Sequence, residues 1–215
     1  MTIFLLVMGF AAAVALTVIF YHADLSLSAA AQAIPGAHDD FTFWWLVNYY
    51  AEIPTWSVVG IAAFFFVLSG SRAAWVSFRP HLEFLLLTAA LSPGILNHLL
   101  KMIFNRPRPG DGMGFFPLFA LGPGRQDNGF PSGHTAAAFV LLTLVFLIPR
   151  ERRLLRILVA IAFFSWGTAV GLARVVWGSH YPGDVLFGAL LSILVELVLW
   201  LGWFRRRTDA GAVHA

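Results

Sequence analysis

Three short segments of this chain contain the charged residues and histidines that are candidates for a catalytic or ligand-binding site. In KMIFNRPRP, Lys101 and Arg108 are seven positions apart. The segment PSGH ends at His134, and ARVVWGSHYPGD contains Arg174 and ends at Asp184. The three cations have too few acids near them in the sequence to balance their charge, which favours an anionic ligand.

The segment PSGH places a small, polar turn directly before a long apolar run. Ser132 and Gly133 would then lie at the start of a helix, where free backbone N–H groups and the positive end of the helix dipole favour a phosphate. Glycine at this position lets the backbone approach the ligand closely. We therefore predict a phosphate cradle that presents His134 to the bound group.

The third segment pairs a second histidine with an acid. Asp184 follows His180 by four residues, and we predict that its carboxylate accepts a hydrogen bond from one ring nitrogen of His180. The other ring nitrogen would then carry an outward lone pair, which makes the imidazole a better nucleophile. His134 could act as the acid toward the leaving oxygen. Together with the three cations, these groups predict a phosphoryl-transfer site that needs no metal or other cofactor.

We predict that these residues are held in place by membrane helices. Hydrophobic residues make up 59% of the 215 residues and charged residues only 12%, about half of the ~25% found in soluble domains. The chain lacks cysteine, which excludes disulfides, iron–sulfur clusters and thiol catalysis. Six apolar segments approach the ~20 residues of a membrane crossing, and we predict one all-α domain over residues 1–215. The segments are Ile3–Phe20, Ile53–Gly70, Phe84–Leu100, His134–Pro149, Ile157–Ala173 and Val185–Phe204.

Basic residues between the segments predict the orientation of the bundle. Nine lie on one side and five on the other, so the positive-inside rule places the nine, both termini and the tail 205–215 in the cytoplasm. The nine are Arg72, Arg79, Arg150, Arg152, Arg153, Arg156, Arg205, Arg206 and Arg207. The five are Lys101, Arg106, Arg108, Arg125 and Arg174. The nine act as topology anchors, without any need for nucleic acid. The five outer basic residues run against this bias and lie on the same face as the histidines and Asp184, which indicates a functional role.

The N-terminal third leaves alternatives open. We predict that residues 21–52 form an extracytoplasmic loop, with a short interfacial helix around Asp40–Tyr50. A zinc site from His22, Asp24, His38, Asp39 and Asp40 is a weaker alternative to a solvated loop. Ala31-Gln32-Ala33 resembles a signal-peptidase site, but no basic residue precedes the apolar run, which favours a retained helix. Cleavage would leave five spans and the same site. The glycine-rich and aromatic loop Gly110–Phe130 could cover the site.

The three segments in this order resemble the signature of the type 2 phosphatidic acid phosphatase (PAP2) superfamily. Lys101 with Arg108-Pro109 matches K-x6-R-P, and Pro131 to His134 match P-S-G-H. The residues Arg174, His180 and Asp184 match R-x5-H-x3-D, except that Ala173 stands where the family usually has serine.

The resemblance implies a role for each matching residue. Lys101, Arg108 and Arg174 would bind the phosphate oxygens, with help from Ser132 and the backbone of Gly133. His180 would form a phosphohistidine, Asp184 would orient it and His134 would protonate the leaving group. Asn97 and His98 lie within about one helical turn of Lys101, and we place them at the rim of the pocket.

The resemblance also implies a lipid phosphate or diphosphate as substrate, because the site lies where lipid headgroups lie. Candidates are undecaprenyl diphosphate, phosphatidylglycerol phosphate, phosphatidic acid and lipid A phosphates. A bacterial inner membrane is the expected location, with the site facing the periplasm or exterior. Transfer of the phosphoryl group to a second lipid is an alternative, and transport of an anionic lipid is a weaker one. The sequence leaves the oligomeric state open.

Overall fold

The structure is a computed structural model that describes residues 2–70, 76, 78–104, 106–111, 129–205 and 207. Most of the loop Gly110–Phe130, the anchors Arg72, Arg125 and Arg206, and the end of the chain lie outside these residues. The described part is helical and contains no strand. Its helices are α1 (Thr2–Gln32), α2 (Phe43–Tyr50), α3 (Ile53–Ser69), α4 (Arg79–Ala89), α5 (Asn97–Ile103), α6 (Gly133–Val140), α7 (Arg153–Val176) and α8 (Pro182–Leu199).

Four helical stretches in the described residues are long and apolar enough to cross a membrane. They are Phe43–Ser69, Arg79–Ile103, Arg153–Val176 and Pro182–Phe204. Helix α1 bends by 62° between its parts Val14–Phe20 and Ala23–Gln32. If these two parts count as one span, the described residues contain a fifth. The chain is therefore an all-helical, multi-pass membrane protein in its described part.

The predicted fourth span corresponds to a shorter apolar helix, Gly133–Leu147. Its second half, Leu141–Leu147, is a 3-10 helix, which is narrower than an α-helix but rises further with each residue. At ~1.5 Å per α-helical residue and ~2.0 Å per 3-10 residue, the whole element extends roughly 26 Å. This length approaches the ~30 Å hydrocarbon thickness of a bilayer.

Local sequence explains the changed winding of one helix and the greater length of another. Pro93 lies inside a π-helical turn, Ala90–Leu96, that joins α4 to α5. Proline has no backbone N–H and cannot continue the regular hydrogen-bond ladder, so the helix widens there. The N-terminal half of the predicted loop 21–52 is instead the end of α1, because Asp24 to Gln32 are rich in the helix-forming residues alanine and leucine.

The predicted interfacial helix around Asp40–Tyr50 corresponds to α2. Thr42 caps it, with its Oγ1 atom accepting a hydrogen bond from the backbone N–H of Trp45 at 3.2 Å. Only two residues, Ala51 and Glu52, separate α2 from α3. The two helices together make the stretch Phe43–Ser69, so α2 continues directly into a membrane span rather than ending in the loop.

Helix α6 lies at the centre of the fold, packed against α3, α4, α7 and α8. Its residues Thr135 to Val140 are all buried, and three of them are alanines. Small side chains let membrane helices approach closely. Helix α8 meets α6 where a side chain on Gly188 would collide with the backbone carbonyl of Ser132. This close contact fixes the start of α6 against the start of α8.

Candidate active site

A tight turn after α7 positions His180. The carbonyl of Arg174, in the last turn of α7, accepts hydrogen bonds from the backbone N–H groups of Ser179 and His180, at 3.0 Å and 3.2 Å. Gly178 has a φ of 68°, in the left-handed region that favours glycine. The turn folds His180 back toward the end of α7, and Pro182 then begins α8.

The proton on His180 is fixed by a backbone carbonyl. Its Nδ1 atom lies 2.6 Å from the carbonyl oxygen of Gly129. A carbonyl oxygen can only accept, so Nδ1 carries the hydrogen and Nε2 carries the lone pair. We predicted Asp184 as the acceptor, but its Oδ2 atom is 3.8 Å from Nδ1, beyond hydrogen-bond distance. One ring nitrogen of His180 is therefore held by the carbonyl of Gly129 rather than by Asp184.

His180 is held neutral by its surroundings. The side chain is 1% exposed, and this burial lowers its pKa well below the ordinary value of 6.5. The positive charges of Arg174, Lys101 and Arg108 lower the pKa further, whereas the hydrogen bond to Gly129 acts in the opposite direction. An imidazole in this environment keeps its lone pair at neutral pH, as a nucleophile must.

Asp184 instead belongs to a buried triad of charges. Its Oδ1 atom is 2.5 Å from Nη1 of Arg106, and Nη2 of Arg106 is 2.7 Å from Oδ2 of Asp24. All three side chains are almost inaccessible, with at most 3% exposure. Asp24 was predicted to lie in a solvated loop or a zinc site. It lies in α1 and faces inward, where its carboxylate binds the buried guanidinium of Arg106.

Arg106 connects all three sequence segments. Its backbone carbonyl accepts a hydrogen bond from the N–H of Gly129 at 2.8 Å, and Gly129 in turn orients His180. Its guanidinium also lies over the ring of Tyr181, with its central carbon 4.3 Å from the ring centroid. Sequence reasoning treated Arg106 only as an outer basic residue, since neither of its acidic partners is near it in the chain.

The second oxygen of Asp184 caps the start of α8. Oδ2 accepts a hydrogen bond from the backbone N–H of Tyr181 at 2.8 Å, and Asp24 accepts one from the N–H of Gly183 at 2.7 Å. The carbonyl of Asp184 accepts a further hydrogen bond from the N–H of Ser132 at 3.0 Å. Asp184 thus orders both the turn that carries His180 and the start of α6.

Ser132 acts in this structure as the N-cap of α6. Its hydroxyl oxygen accepts a hydrogen bond from the N–H of Thr135 at 3.4 Å. The predicted phosphate contact of Ser132 stays a prediction. Asn97 is buried beside Gly133, where an added Cβ atom would lie 3.3 Å from its Oδ1 atom. His98 is exposed and its Nδ1 atom lies 2.6 Å from the carbonyl of Gly94, so only Asn97 lies against the predicted cradle.

The charges of the three predicted phosphate-binding cations reach His180. Lys101, Arg108 and Arg174 each act on it electrostatically. Arg174 is 7% exposed, and its Nη1 atom donates a hydrogen bond of 2.6 Å to Oδ1 of Asn48 in α2. Sequence reasoning missed Asn48, because α2 was assigned to the membrane interface and given no role in the site.

His134 has a carboxylate partner of its own. Its Nδ1 atom is 3.4 Å from Oε1 of Glu52, and the two side chains are 35% and 40% exposed. Sequence reasoning gave Glu52 no role. The pair borders a partly polar cavity of about 520 Å³ that is lined by Tyr49, Glu52, Ile53, Trp56, Ser57 and His134.

The described residues contain no group of three histidine, cysteine or acidic residues that could hold a metal ion. They do bring together an imidazole with a defined lone pair, a second imidazole beside a carboxylate, and three cations. This combination can bind an anionic group and transfer it through a nitrogen nucleophile.

Comparison with known proteins agrees with this chemistry. The sequence pattern of the PAP2 superfamily matches residues 82–208, which include all of the predicted site residues. The chain belongs to the PAP2 superfamily. The solved structure of a transmembrane PAP2-type phosphatidylglycerolphosphate phosphatase from Bacillus subtilis has the same fold. It aligns with a TM-score of 0.61 over 88% of this chain and 93% of that one, at 20% sequence identity.

Several bacterial proteins are similar to this chain in sequence. A lipid A 1-phosphatase from Rhizobium johnstonii is 34% identical over 139 residues, which are 60% of this chain and 52% of that protein. Phosphatidylglycerophosphatase B from Escherichia coli is 41% identical over 75 residues, or 34% of this chain and 28% of that protein. The bacitracin transport permease protein BcrC from Bacillus licheniformis is also 41% identical over 75 residues. The chain spans about half the length of the lipid A 1-phosphatases from Rhizobium that it matches.

Proposed function

We propose that this PAP2 protein is a phosphatase that removes phosphate from a membrane lipid through a phosphohistidine on His180. The observation that carries the proposal is the state of His180. Gly129 fixes its proton on Nδ1, burial keeps it neutral, and the charges of Lys101, Arg108 and Arg174 act on it together. A neutral nucleophile among three cations is suited to an anionic phosphate.

The proposed reaction has two steps. In the first, Nε2 of His180 bonds to phosphorus while the bond to the leaving oxygen breaks, and His134 gives that oxygen a proton. In the second, water bonds to phosphorus, His134 takes a proton from the water, and the bond from phosphorus to His180 breaks. The three cations stabilise the negative charge on the phosphoryl oxygens throughout, so we expect the reaction to need no metal ion.

An apolar cavity of about 720 Å³ supports a lipid substrate. It lies between α1, α5 and α8 and is lined by apolar residues that include Leu100, Ile103 and Phe104. Leu100 directly precedes the predicted phosphate ligand Lys101, and Ile103 and Phe104 follow it closely in the chain. Phe130, next to the carbonyl that orients His180, also lines the cavity. A lipid chain in this space would lie beside the proposed phosphate site.

We further propose six spans in a bacterial inner membrane, with both termini in the cytoplasm and the site outside. The bias of basic residues supports this orientation, and the length of Gly133–Leu147 supports a crossing by this element. Lipid A phosphate is our first candidate substrate, because the match to the lipid A 1-phosphatase covers 139 residues and the match to phosphatidylglycerophosphatase B only 75.

The test is phosphate release from single purified lipids by the protein in detergent, with and without excess EDTA. The panel contains lipid A, phosphatidylglycerol phosphate, phosphatidic acid and undecaprenyl diphosphate. We expect release from at least one lipid, no loss with EDTA, and an acid-labile phosphoprotein after rapid quench. His180→Ala should abolish both signals. Release by His180→Ala, or activity that EDTA removes and magnesium restores, would contradict the proposed mechanism. Phosphate transfer to a second lipid without release would identify a phosphotransferase instead.

A further inference from the structure

Glu52 is a partly exposed carboxylate beside the second histidine of the site. It is the N-cap residue of α3, but its side chain makes no capping hydrogen bond. Its Oε2 atom instead accepts a hydrogen bond from Nε1 of Trp56 at 3.2 Å, and its Oε1 atom is 3.4 Å from Nδ1 of His134. The indole holds one oxygen, and the other oxygen faces the second histidine of the site.

Contacts between helices keep this pair together. The Oγ1 atom of Thr55, in the first turn of α3, donates a buried hydrogen bond of 3.0 Å to the carbonyl of Ala137 in α6. One turn before Glu52, Asn48 binds Arg174. The connection between α2 and α3 is therefore flanked by a contact to the helix that begins at Gly133 and by a contact to the end of α7. This attachment limits the separation between Glu52 and His134.

The charges around His134 give Glu52 a specific task. The groups that act on His134 electrostatically are Arg174, Glu52, His180 and Lys101. Cations near an imidazole disfavour its protonated form, and a carboxylate favours it. A histidine that must donate a proton beside phosphate-binding cations needs a negative group next to it. Glu52 supplies the only negative charge in this set of four.

We propose that Glu52 is the positioning residue of His134, which rests on the role of His134 in the proposed function. A carboxylate can only accept, so Glu52 keeps a hydrogen on Nδ1 and directs proton exchange to Nε2. In the first step Nε2 of protonated His134 gives its proton to the leaving oxygen, which keeps the electron pair of the broken bond to phosphorus. In the second step neutral His134 takes a proton from the attacking water. Glu52 itself is not protonated at any point.

The test compares two substrates that differ in their need for an acid. A lipid alkyl phosphate needs a proton on its leaving oxygen, and a soluble aryl phosphate with a stable leaving anion does not. General acid catalysis contributes ~10²–10⁴-fold in rate. We expect the kcat of Glu52→Gln on the lipid to be lower than that of the wild type by about 10-fold or more. On the aryl phosphate the loss should stay under about 3-fold, because no proton is required there.

Three further variants separate positioning from folding. Glu52→Asp should recover part of the lipid activity, since it restores the charge. Trp56→Phe removes the hydrogen bond to Oε2 without changing any charge, and should show a smaller loss in the same direction. Glu83→Gln is the matched control, because Glu83 binds Arg79 and Arg207 away from the site. It should leave the ratio of the two activities unchanged. Unaltered thermal midpoints would show that the variants fold.

His134→Ala distinguishes failure of this proposal from failure of the proposed function. We expect His134→Ala to lose far more on the lipid than on the aryl phosphate, and Glu52→Gln to add little further loss in that background. Equal losses on both substrates in Glu52→Gln, alongside an unequal loss in His134→Ala, would overturn the role of Glu52 alone. Equal losses in His134→Ala would overturn the acid role of His134 and the role of Glu52 with it.

Discussion

Arg106 links the site at the scale of single residues through both its side chain and its backbone. Its guanidinium joins Asp24 to Asp184, and its carbonyl binds the N–H of Gly129, whose own carbonyl orients His180. The spacing of the motif residues predicts that their side chains share one face of the membrane. It could not predict this link, because Asp24 and Asp184 are 82 and 78 positions away from Arg106 in the chain.

Removal of the charge on Arg106 should destabilise the fold strongly. Arg106→Met leaves two buried carboxylates facing each other, and loss of one partner in a buried ion pair costs ~3–5 kcal/mol. Arg106→Lys keeps the charge but cannot bind both carboxylates with a planar fork, so we expect an intermediate loss. The measurement is thermal unfolding in detergent. In a double-mutant cycle, Asp24→Asn should cost much less in the Arg106→Met background than alone. Additive costs would show that the two residues are not coupled.

The environment of His180 predicts how activity depends on pH. Its pKa is lowered by burial and by three cations, so the folded protein keeps the nucleophile neutral below the ordinary value of 6.5. With an aryl phosphate that needs no acid, the rate of phosphoenzyme formation should be flat from about pH 7.5 to about pH 6. A rate that halves near pH 6.5 would contradict this expectation.

The lowered pKa of His180 also makes the stability of the fold depend on pH. As the pH drops through 6.5, His180 becomes protonated in the unfolded chain before it does in the folded protein, so the free energy of unfolding falls.

At the scale of helices, apolar length was sufficient to predict where helices occur but not how they end or bend. Four of the six predicted segments fall within described helical elements, and the other two extend past them by one residue at Gly70 and by two at Ile148 and Pro149. The π-helical turn at Pro93 follows from the proline itself, but the 62° change of direction in α1 has no proline in its sequence to predict it. The role of α2 was not predictable either, because its sequence looks interfacial and aromatic, and it nevertheless brings Asn48 to Arg174.

The contact between α6 and α8 should not tolerate a side chain at Gly188. A Cβ atom there would collide with the carbonyl of Ser132, and backbone cannot move aside as a flexible side chain can. Gly188→Ala should therefore separate the start of α6 from Asp184, with a lower thermal midpoint and a large loss of activity. Gly60→Ala is the control, since nothing lies within 4 Å of a Cβ atom at Gly60 in α3. Alanine favours helix over glycine, so it should be neutral or stabilising. Wild-type activity in Gly188→Ala would contradict the close contact.

At the scale of the whole molecule, the proposed orientation depends on charge bias alone. Asp40 lies in the connection between α1 and α2, and Glu151 lies between Leu147 and α7. Both residues are exposed. If the proposal of six spans is correct, these two connections lie on opposite sides of the membrane.

The absence of cysteine from the chain allows a direct test of this orientation. In intact cells, Asp40→Cys should react with a membrane-impermeant maleimide, because the proposal places it outside. Glu151→Cys should react only after the cells are permeabilised, because the arginines around it are proposed to face the cytoplasm. Labelling is measured by mass shift. The reverse pattern would place the site in the cytoplasm.

The triad of Asp24, Arg106 and Asp184 has a consequence for how the protein is made. Asp24 is synthesised 82 residues before Arg106, an interval of about 4–16 seconds at ~5–20 residues per second. During that time the first helix enters the membrane with a carboxylate whose counterion has not yet been made, and an ionised acid inside a membrane is unfavourable. Asp184 arrives another 78 residues later. Asp24 can therefore pair with Arg106 before Asp184 is made. Only a chain that stalls before Arg106 leaves Asp24 without its counterion, which a membrane quality-control protease could recognise.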